Sequence, residues 1–237
     1  MPIRTTTRLA QWGLLGSLLF LVAGAIAAIA AHPAVVTAEP GAAAFYLTLF
    51  GLAVVVYGAL SLVGTRAAAA NGSLRIGLGL GLACAAAWTV ELIAANLILA
   101  PAAPQGRWLY SALYFGSSAV AVFLPGLAGL LAARQAGRVG AGTFKAGVQA
   151  GLLCGLCGGL GIFLASFVLS GLLISAGHLD PQTVREFQHS GLPDLNTYIV
   201  SDYLAGMIAH LWIGLITGLL LGALGSVVGT TVSKKTP

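Results

Sequence analysis

The stretch SDYLAGMIAHLWIGLITGLLLGALGS, residues 201–226, decides the fold class because it is a long apolar run with a single histidine in its middle. About 20 apolar residues, each rising 1.5 Å in a helix, cross the roughly 30 Å hydrocarbon core of a bilayer. Residues four apart lie on one helix face, and every fourth residue here is small or polar: Asp202, Gly206, His210, Gly214, Gly218, Gly222 and Ser226. The stretch therefore predicts a membrane-spanning helix with one face suited to close packing.

The composition of the whole chain points to the same environment. Of its 237 residues, 58% are hydrophobic and 7% are charged, and the mean hydropathy is +0.97. A soluble domain carries about 25% charged residues, so this chain could not cover its surface in water. Six charge-poor segments are each long enough to span a bilayer: 12–31, 42–64, 76–100, 108–133, 146–177 and 203–232. We predict an all-α polytopic membrane protein, a single domain over residues 1–237 with a bundle of six transmembrane helices.

The basic residues predict the orientation of this bundle. If the six segments alternate in direction, nine of the 11 Lys and Arg residues fall on one side of the membrane: Arg4, Arg8, Arg66, Arg75, Arg134, Arg138, Lys145, Lys234 and Lys235. Cytoplasmic loops carry the excess of Lys and Arg, so we expect a multi-pass protein of the plasma or inner cell membrane with both termini cytoplasmic. The net charge of +5 then reflects topology and attraction to anionic lipid, and we expect no nucleic-acid partner.

The first segment has an alternative interpretation as a cleaved signal peptide. Residues 1–33 have a basic start, an apolar run and a small-residue end. The apolar run of 20 residues is longer than the roughly 7–15 residues of a signal peptide. We therefore expect a retained first helix, whereas cleavage would leave five helices in the same orientation.

Residues 178–202 are predicted to form the one sizeable external loop. Asp180 followed by Pro181 is typical of a helix start, and Gly191 is typical of a helix end. Val184 and Phe187 give the helix between them one apolar edge, so we expect a short amphipathic helix on the outer membrane surface. Asp194, directly after Pro193, is expected to cap the next helix, which runs into the sixth segment without another break.

Glycines at four-residue spacing predict how the helices pack. Because lipid supplies no hydrophobic drive between helices, their contact depends on close packing, which small residues allow. We expect tight crossings among the third, fifth and sixth segments, with these glycines on the contact faces: Gly206, Gly214, Gly218 and Gly222 in the sixth segment, and Gly147, Gly151 and Gly155 in the fifth.

Glu91 and His210 are the strongest candidates for chemistry. Glu91 is the only acidic residue well inside a segment, about 14 Å from its outer end, and His210 lies about 11 Å from the same end of the sixth segment. A lone charge at such depth costs several kcal/mol, so the carboxyl must be protonated, paired or facing water. We predict a polar intramembrane site open to the outside, formed by Glu91 and His210 with Asn96, Asp202 and Tyr203. The alternative is a buried hydrogen bond that only fixes the helix register.

The three cysteines, Cys84, Cys154 and Cys157, include one C-x-x-C pair. This spacing occurs in dithiol redox centres, but thiol exchange needs an accessible thiolate. No Pro, His or Lys flanks the CGLC motif, and cysteine is also a small hydrophobe at helix contacts. We favour a packing role and keep redox activity as the alternative.

The sequence thus leaves three functional hypotheses open. The first is a small transporter, or the membrane subunit of a transport complex, that uses the polar site. The second is a non-catalytic scaffold that binds another membrane protein or a second copy of this chain through its glycine faces. The third is an intramembrane thiol oxidoreductase. We expect the bilayer as the constant partner and no cofactor, and no histidine pair has the spacing of a metal-binding motif.

Overall fold

The computed structural model describes residues 3–94, 107–138, 143–176 and 181–233, and this part of the chain is almost entirely helical. Helices suit a lipid solvent because they satisfy their backbone hydrogen bonds internally. A π-helical turn, Leu60–Gly64, joins α3 to α4. The helices are α1 (Ile3–Ala31), α2 (Ala34–Thr37), α3 (Pro40–Ala59), α4 (Thr65–Ala70), α5 (Leu74–Ile93), α6 (Arg107–Arg138), α7 (Thr143–Ala176), α8 (Pro181–Ser190) and α9 (Leu195–Ser233).

Six of the described helical segments are long and apolar enough to cross a membrane, which confirms the all-α polytopic fold. The α3, π-turn and α4 segments together form one span, Pro40–Ala70. The predicted helix start after Asp194 is confirmed, since α9 begins at Leu195 and continues through the sixth span without a break. The Asp194 carboxylate accepts hydrogen bonds from the Thr197 backbone N–H at 2.8 Å and hydroxyl at 2.7 Å, as a helix N-cap does.

Helices α5, α6, α7 and α9 form a four-helix core with α7 at its centre. Helix α7 packs antiparallel to α9 through glycines on both sides. A Cβ built on Gly218 would come 2.9 Å from the Gly151 oxygen, and one on Gly222 would come 2.8 Å from the Gly151 Cα atom. Gly155 and Gly214 meet in the same way, and Gly147 faces Ser226. Backbones therefore touch along this contact, as small residues in membrane helices allow.

The glycine face of α9 is shorter than predicted. A Cβ built on Gly206 would meet nothing within 4 Å, so this glycine is not a packing residue in the structure. The contact begins at the level of Gly159, where a Cβ would meet the Leu211 Cα atom of α9 at 3.3 Å and also collide with the Tyr57 hydroxyl of α3. The four-residue spacing in the sequence continues past the point at which the two helices touch.

Helices α1, α3 and α4 form an N-terminal hairpin that lies against the core. A hydrogen bond links α1 to the π turn: the Gln11 side chain donates to the Leu62 carbonyl oxygen at 2.8 Å. A π turn disturbs the regular helical bonding pattern, and lipid offers no replacement donor. Gln11 supplies that donor, which accounts for a buried amide in an otherwise apolar helix.

Large side chains form the seam between the hairpin and the core. The rings of Phe50 and Phe163 stack with centroids 6.0 Å apart. The Tyr57 hydroxyl donates a hydrogen bond of 2.8 Å to the Leu211 carbonyl oxygen of α9. In the other direction, Trp212 of α9 donates to a carbonyl oxygen of α3 at 3.2 Å. The hairpin is thus attached by rings and a few hydrogen bonds rather than by backbone contact.

Candidate functional site

The Glu91 carboxyl lies near the end of α5, where α5, α6 and α9 meet. Its Oε2 atom is buried and has no hydrogen-bond partner in the described part of the chain. The polar groups close enough to act on the carboxyl are the His210 ring of α9 and the hydroxyls of Ser118 and Tyr114 on α6. The carboxylate is therefore surrounded by three groups that can exchange or share a proton.

The His210 ring is held in a defined orientation by two neighbours. Its Nδ1 atom lies 2.7 Å from the Gly206 carbonyl oxygen. A carbonyl can only accept a hydrogen bond, so Nδ1 carries the proton and, in the neutral ring, Nε2 is the free basic nitrogen. The ring meets Trp88 edge to face, with centroids 5.1 Å apart and an angle of 82° between the planes. Trp88 and Glu91 share one face of α5, so this contact keeps the imidazole beside the carboxyl.

Sequence reasoning missed three members of this cluster: Trp88, Tyr114 and Ser118. Signals for them are present in retrospect. Trp88 lies three residues before Glu91, and Tyr114 lies four residues before Ser118, spacings that place side chains on one helix face. The Ser118 hydroxyl also donates a hydrogen bond of 2.6 Å to the Tyr114 carbonyl oxygen. Because such a bond to its own helix satisfies a serine hydroxyl in lipid, a serine in an apolar segment does not by itself indicate a polar site.

The other residues of the predicted polar site do not lie with this cluster. Asp202 lines a separate cavity on the hairpin side of α9. Tyr203 is half-buried and packs against the apolar core cluster that contains Met207 and Leu211. Asn96 lies outside the described residues. The structure therefore brings together Glu91 and His210 and separates Asp202 from both.

The separate cavity measures about 290 Å³ and lies between the N-terminal hairpin and the core, at the end of the bundle where α2 and α8 are found. Its inner part is apolar and includes Ala25, Phe50 and Phe163. Its polar groups are Glu39, Tyr46, Ser190, Tyr198, Ser201 and Asp202. The sequence did not indicate this cavity, because its lining comes from three regions that are distant along the chain: residues 25–50, Phe163 and residues 190–208.

The three cysteines are free, buried thiols. Cys84 and Cys154 are enclosed between α5, α6 and α7, whereas Cys157 belongs to the cluster that α7 forms with the hairpin and α9. Cys84 and Cys154 are 1% and 0% exposed, and the Cys84 thiol lies 3.3 Å from the Ala121 carbonyl oxygen, to which it donates. A Cβ built on Gly81 would come 3.1 Å from the Cys157 sulfur, so this sulfur fills the space that the glycine leaves. Burial of this kind favours packing over thiol exchange.

Among the described residues, no three His, Cys, Asp or Glu side chains are grouped so that they could hold a metal ion. In comparisons with known proteins, no family model, no curated protein and no solved structure matches the chain.

Proposed function

We propose that the protein is a small membrane transporter, or the membrane subunit of a transport complex, in which Glu91 carries a proton or a cation. The proposal rests on one observation: an acidic side chain inside a membrane bundle has a buried carboxyl oxygen without a partner, beside a histidine ring. Acidic groups at such places are costly and most often mark ion or proton pathways.

The neighbours of Glu91 support a role in proton exchange rather than in helix register alone. Hydrogen bonds from the carboxyl to Ser118 and Tyr114 of α6 could fix the helix register, but they leave the buried Oε2 atom without a partner. The free Nε2 of His210 provides a second proton acceptor, since Nδ1 is engaged with Gly206. In the proposed step, the Glu91 carboxylate takes up one proton from one side of the membrane and passes it to Nε2 of His210 on the way to the other side, and the positively charged ring stabilises the carboxylate that remains.

Proton flux into vesicles tests this proposal. The purified protein is reconstituted in liposomes that contain a trapped pH-sensitive dye, with the membrane potential clamped by potassium and valinomycin. We expect faster acidification than in protein-free vesicles, loss of this flux in Glu91→Gln, and partial retention in Glu91→Asp. The His210→Phe variant should slow the flux, because the charged form of the carboxyl loses its neighbour.

Glu186→Gln serves as the matched control, since this exposed carboxylate on α8 hydrogen-bonds to Tyr198 and lies outside the Glu91 cluster. Its flux should equal that of the wild type. A Glu91→Gln variant that is folded and conducts as well as the wild type would contradict the proposal, as would a wild type that conducts no more than protein-free vesicles. Copurification of another membrane protein in that case would favour the scaffold hypothesis.

A further inference from the structure

We propose that the cavity between the N-terminal hairpin and the four-helix core binds a small organic monocation with an apolar body. This inference does not depend on Glu91 or on transport, because neither Glu91 nor His210 lines the cavity. It rests on the volume of the cavity, on the sign of the charges around it and on the separation of its polar and apolar parts.

The volume sets the size of the ligand. Sites for small molecules are concave, mostly apolar and about 300–1,000 Å³ in volume. The cavity, at about 290 Å³, lies at the lower end of this range. It therefore suits a body of about a dozen heavy atoms and is too small for a whole lipid.

The charges set the sign of the ligand. Two carboxylates, Glu39 and Asp202, belong to the lining, and Glu186 is close enough to Asp202 to act on it electrostatically. In the described part of the chain, no Lys, Arg or His belongs to the lining. The charged side chains of this lining are thus both acidic, which favours a cation over an anion.

The distribution of polar and apolar groups sets the shape of the ligand. Phe50 and Phe163, stacked across the seam, line the apolar part of the cavity. Tyr198 lies with the acidic groups, since its hydroxyl donates a hydrogen bond of 3.0 Å to Glu186, the carboxylate that acts on Asp202. Aromatic faces also attract cations, and quaternary ammonium ligands use this interaction. An ammonium group beside the carboxylates and a ring against Phe50 would occupy both parts at once.

Benzyltrimethylammonium is a suitable probe, because it combines a permanent positive charge with one ring. Binding to the full-length protein in phosphatidylcholine nanodiscs is followed by saturation-transfer NMR, with empty nanodiscs as the blank. We expect saturable binding with a Kd of about 1 mM or tighter. Phenylacetate, with the same ring and the opposite charge, should not bind. Tetramethylammonium, which lacks the ring, should bind at least about tenfold more weakly.

Variants locate the binding. Glu39→Gln and Asp202→Asn should each weaken the binding of benzyltrimethylammonium by about fivefold, as expected for a partly solvated ion pair. Ala205→Phe, which fills the cavity, should abolish binding. Glu39 is exposed at the start of α3, so we expect Glu39→Gln to fold even if Ala205→Phe does not. Glu91→Gln removes a carboxylate outside the lining and should leave probe binding unchanged.

Three results would overturn the proposal. Equal binding of phenylacetate and benzyltrimethylammonium would mean that the cavity is merely apolar. Unchanged affinity in the Glu39→Gln, Asp202→Asn double variant would place the cation elsewhere. No saturable signal from the folded wild type at concentrations well above 1 mM would mean that the cavity takes no such ligand. A failure here leaves the flux experiment on Glu91 unaffected, and the reverse also holds.

Discussion

The helices of the four-helix core and the N-terminal hairpin pack in lipid through different kinds of residue. In the most apolar part of α7, 67% of the residues are buried inside the structure, against 17% in α1 and in the Pro40–Ala70 segment. The other core helices, α5, α6 and α9, are 22%, 33% and 33% buried in the same measure, so the high burial is that of the central helix. Helix α7 reaches it by backbone contact between glycines, whereas the hairpin touches the core through Phe, Tyr and Trp side chains. In lipid, where apolar surface is not costly to expose, small residues rather than large ones make the tight contact.

The two candidate sites lie at different places relative to these contacts. The Glu91 cluster lies where α5, α6 and α9 meet, and its His210 is bonded to Gly206, which is already past the end of the glycine contact. The cavity with Glu39 and Asp202 lies along the seam, where large side chains leave space between them. Neither candidate site lies on the glycine contact itself, and the two can therefore be tested separately.

The largest expected effect tests the glycine contact directly. A Cβ on Gly155 would overlap the Gly214 carbonyl oxygen and lie 2.9 Å from the Gly218 Cα atom. Gly155→Ala should therefore lower the free energy of unfolding by about 1–3 kcal/mol through overpacking. The measurement is unfolding in mixed micelles with increasing SDS, followed by circular dichroism.

Gly51→Ala in α3 is the matched control for this prediction, because a Cβ there meets nothing within 4 Å. It should be neutral or slightly stabilising, since alanine favours a helix over glycine. If both variants unfold at the same SDS fraction, the contrast between the core and the hairpin is wrong.

A smaller effect is expected at the seam. Tyr57→Phe removes the buried hydroxyl that donates to the Leu211 oxygen, and this should cost about 0.5–1.5 kcal/mol of unfolding free energy. Tyr46→Phe, at an exposed position on the same helix, should cost less. Identical SDS midpoints for the wild type and Tyr57→Phe would mean that the hairpin is held by its rings alone.

The smallest effect concerns the start of α9 and depends on pH. The two hydrogen bonds from Thr197 lower the pKa of Asp194 below its ordinary value. The folded pKa is thus below the unfolded one, so this N-cap contributes stability above the ordinary pKa and loses it as the pH falls through the lowered value. As the pH is lowered from about 6 to about 2, the hydrogen-exchange protection of the Thr197 amide should therefore fall.

Asp194→Asn is the control for this pH effect. An asparagine can still cap the helix but does not titrate. After correction for intrinsic exchange rates, its Thr197 protection should not change over the same pH range. Equal pH dependence in both proteins would remove Asp194 as the cause.

The sequence was sufficient for those features that the bilayer itself dictates. The thickness of the hydrocarbon region sets the length of a span, so six apolar segments predicted six spanning helices, as the structure has them. Helical rise also placed Glu91 and His210 at matching depths, and the structure places the ring beside the carboxyl. Whether these residues carry out a function stays a prediction.

The sequence was not sufficient to predict which face of each helix is buried against its neighbours. In a soluble protein the apolar stripe marks the inner face, but these helices are apolar on all sides because lipid surrounds them. Asp202 could therefore not be assigned to the seam, nor Gly206 be recognised as lying outside the contact. The π turn at Leu60–Gly64 likewise had no visible signal, since its donor, Gln11, is 51 residues away from Leu62.

The central claim is that Glu91 exchanges protons with water although it lies inside the bundle. Infrared difference spectra of the wild type minus Glu91→Gln, recorded in bilayers over a range of pH and in D2O, isolate this single carboxyl. The account predicts a carboxyl band that appears and disappears with the bulk pH and shifts in D2O. A band that responds to neither would show a sealed carboxyl and contradict the claim.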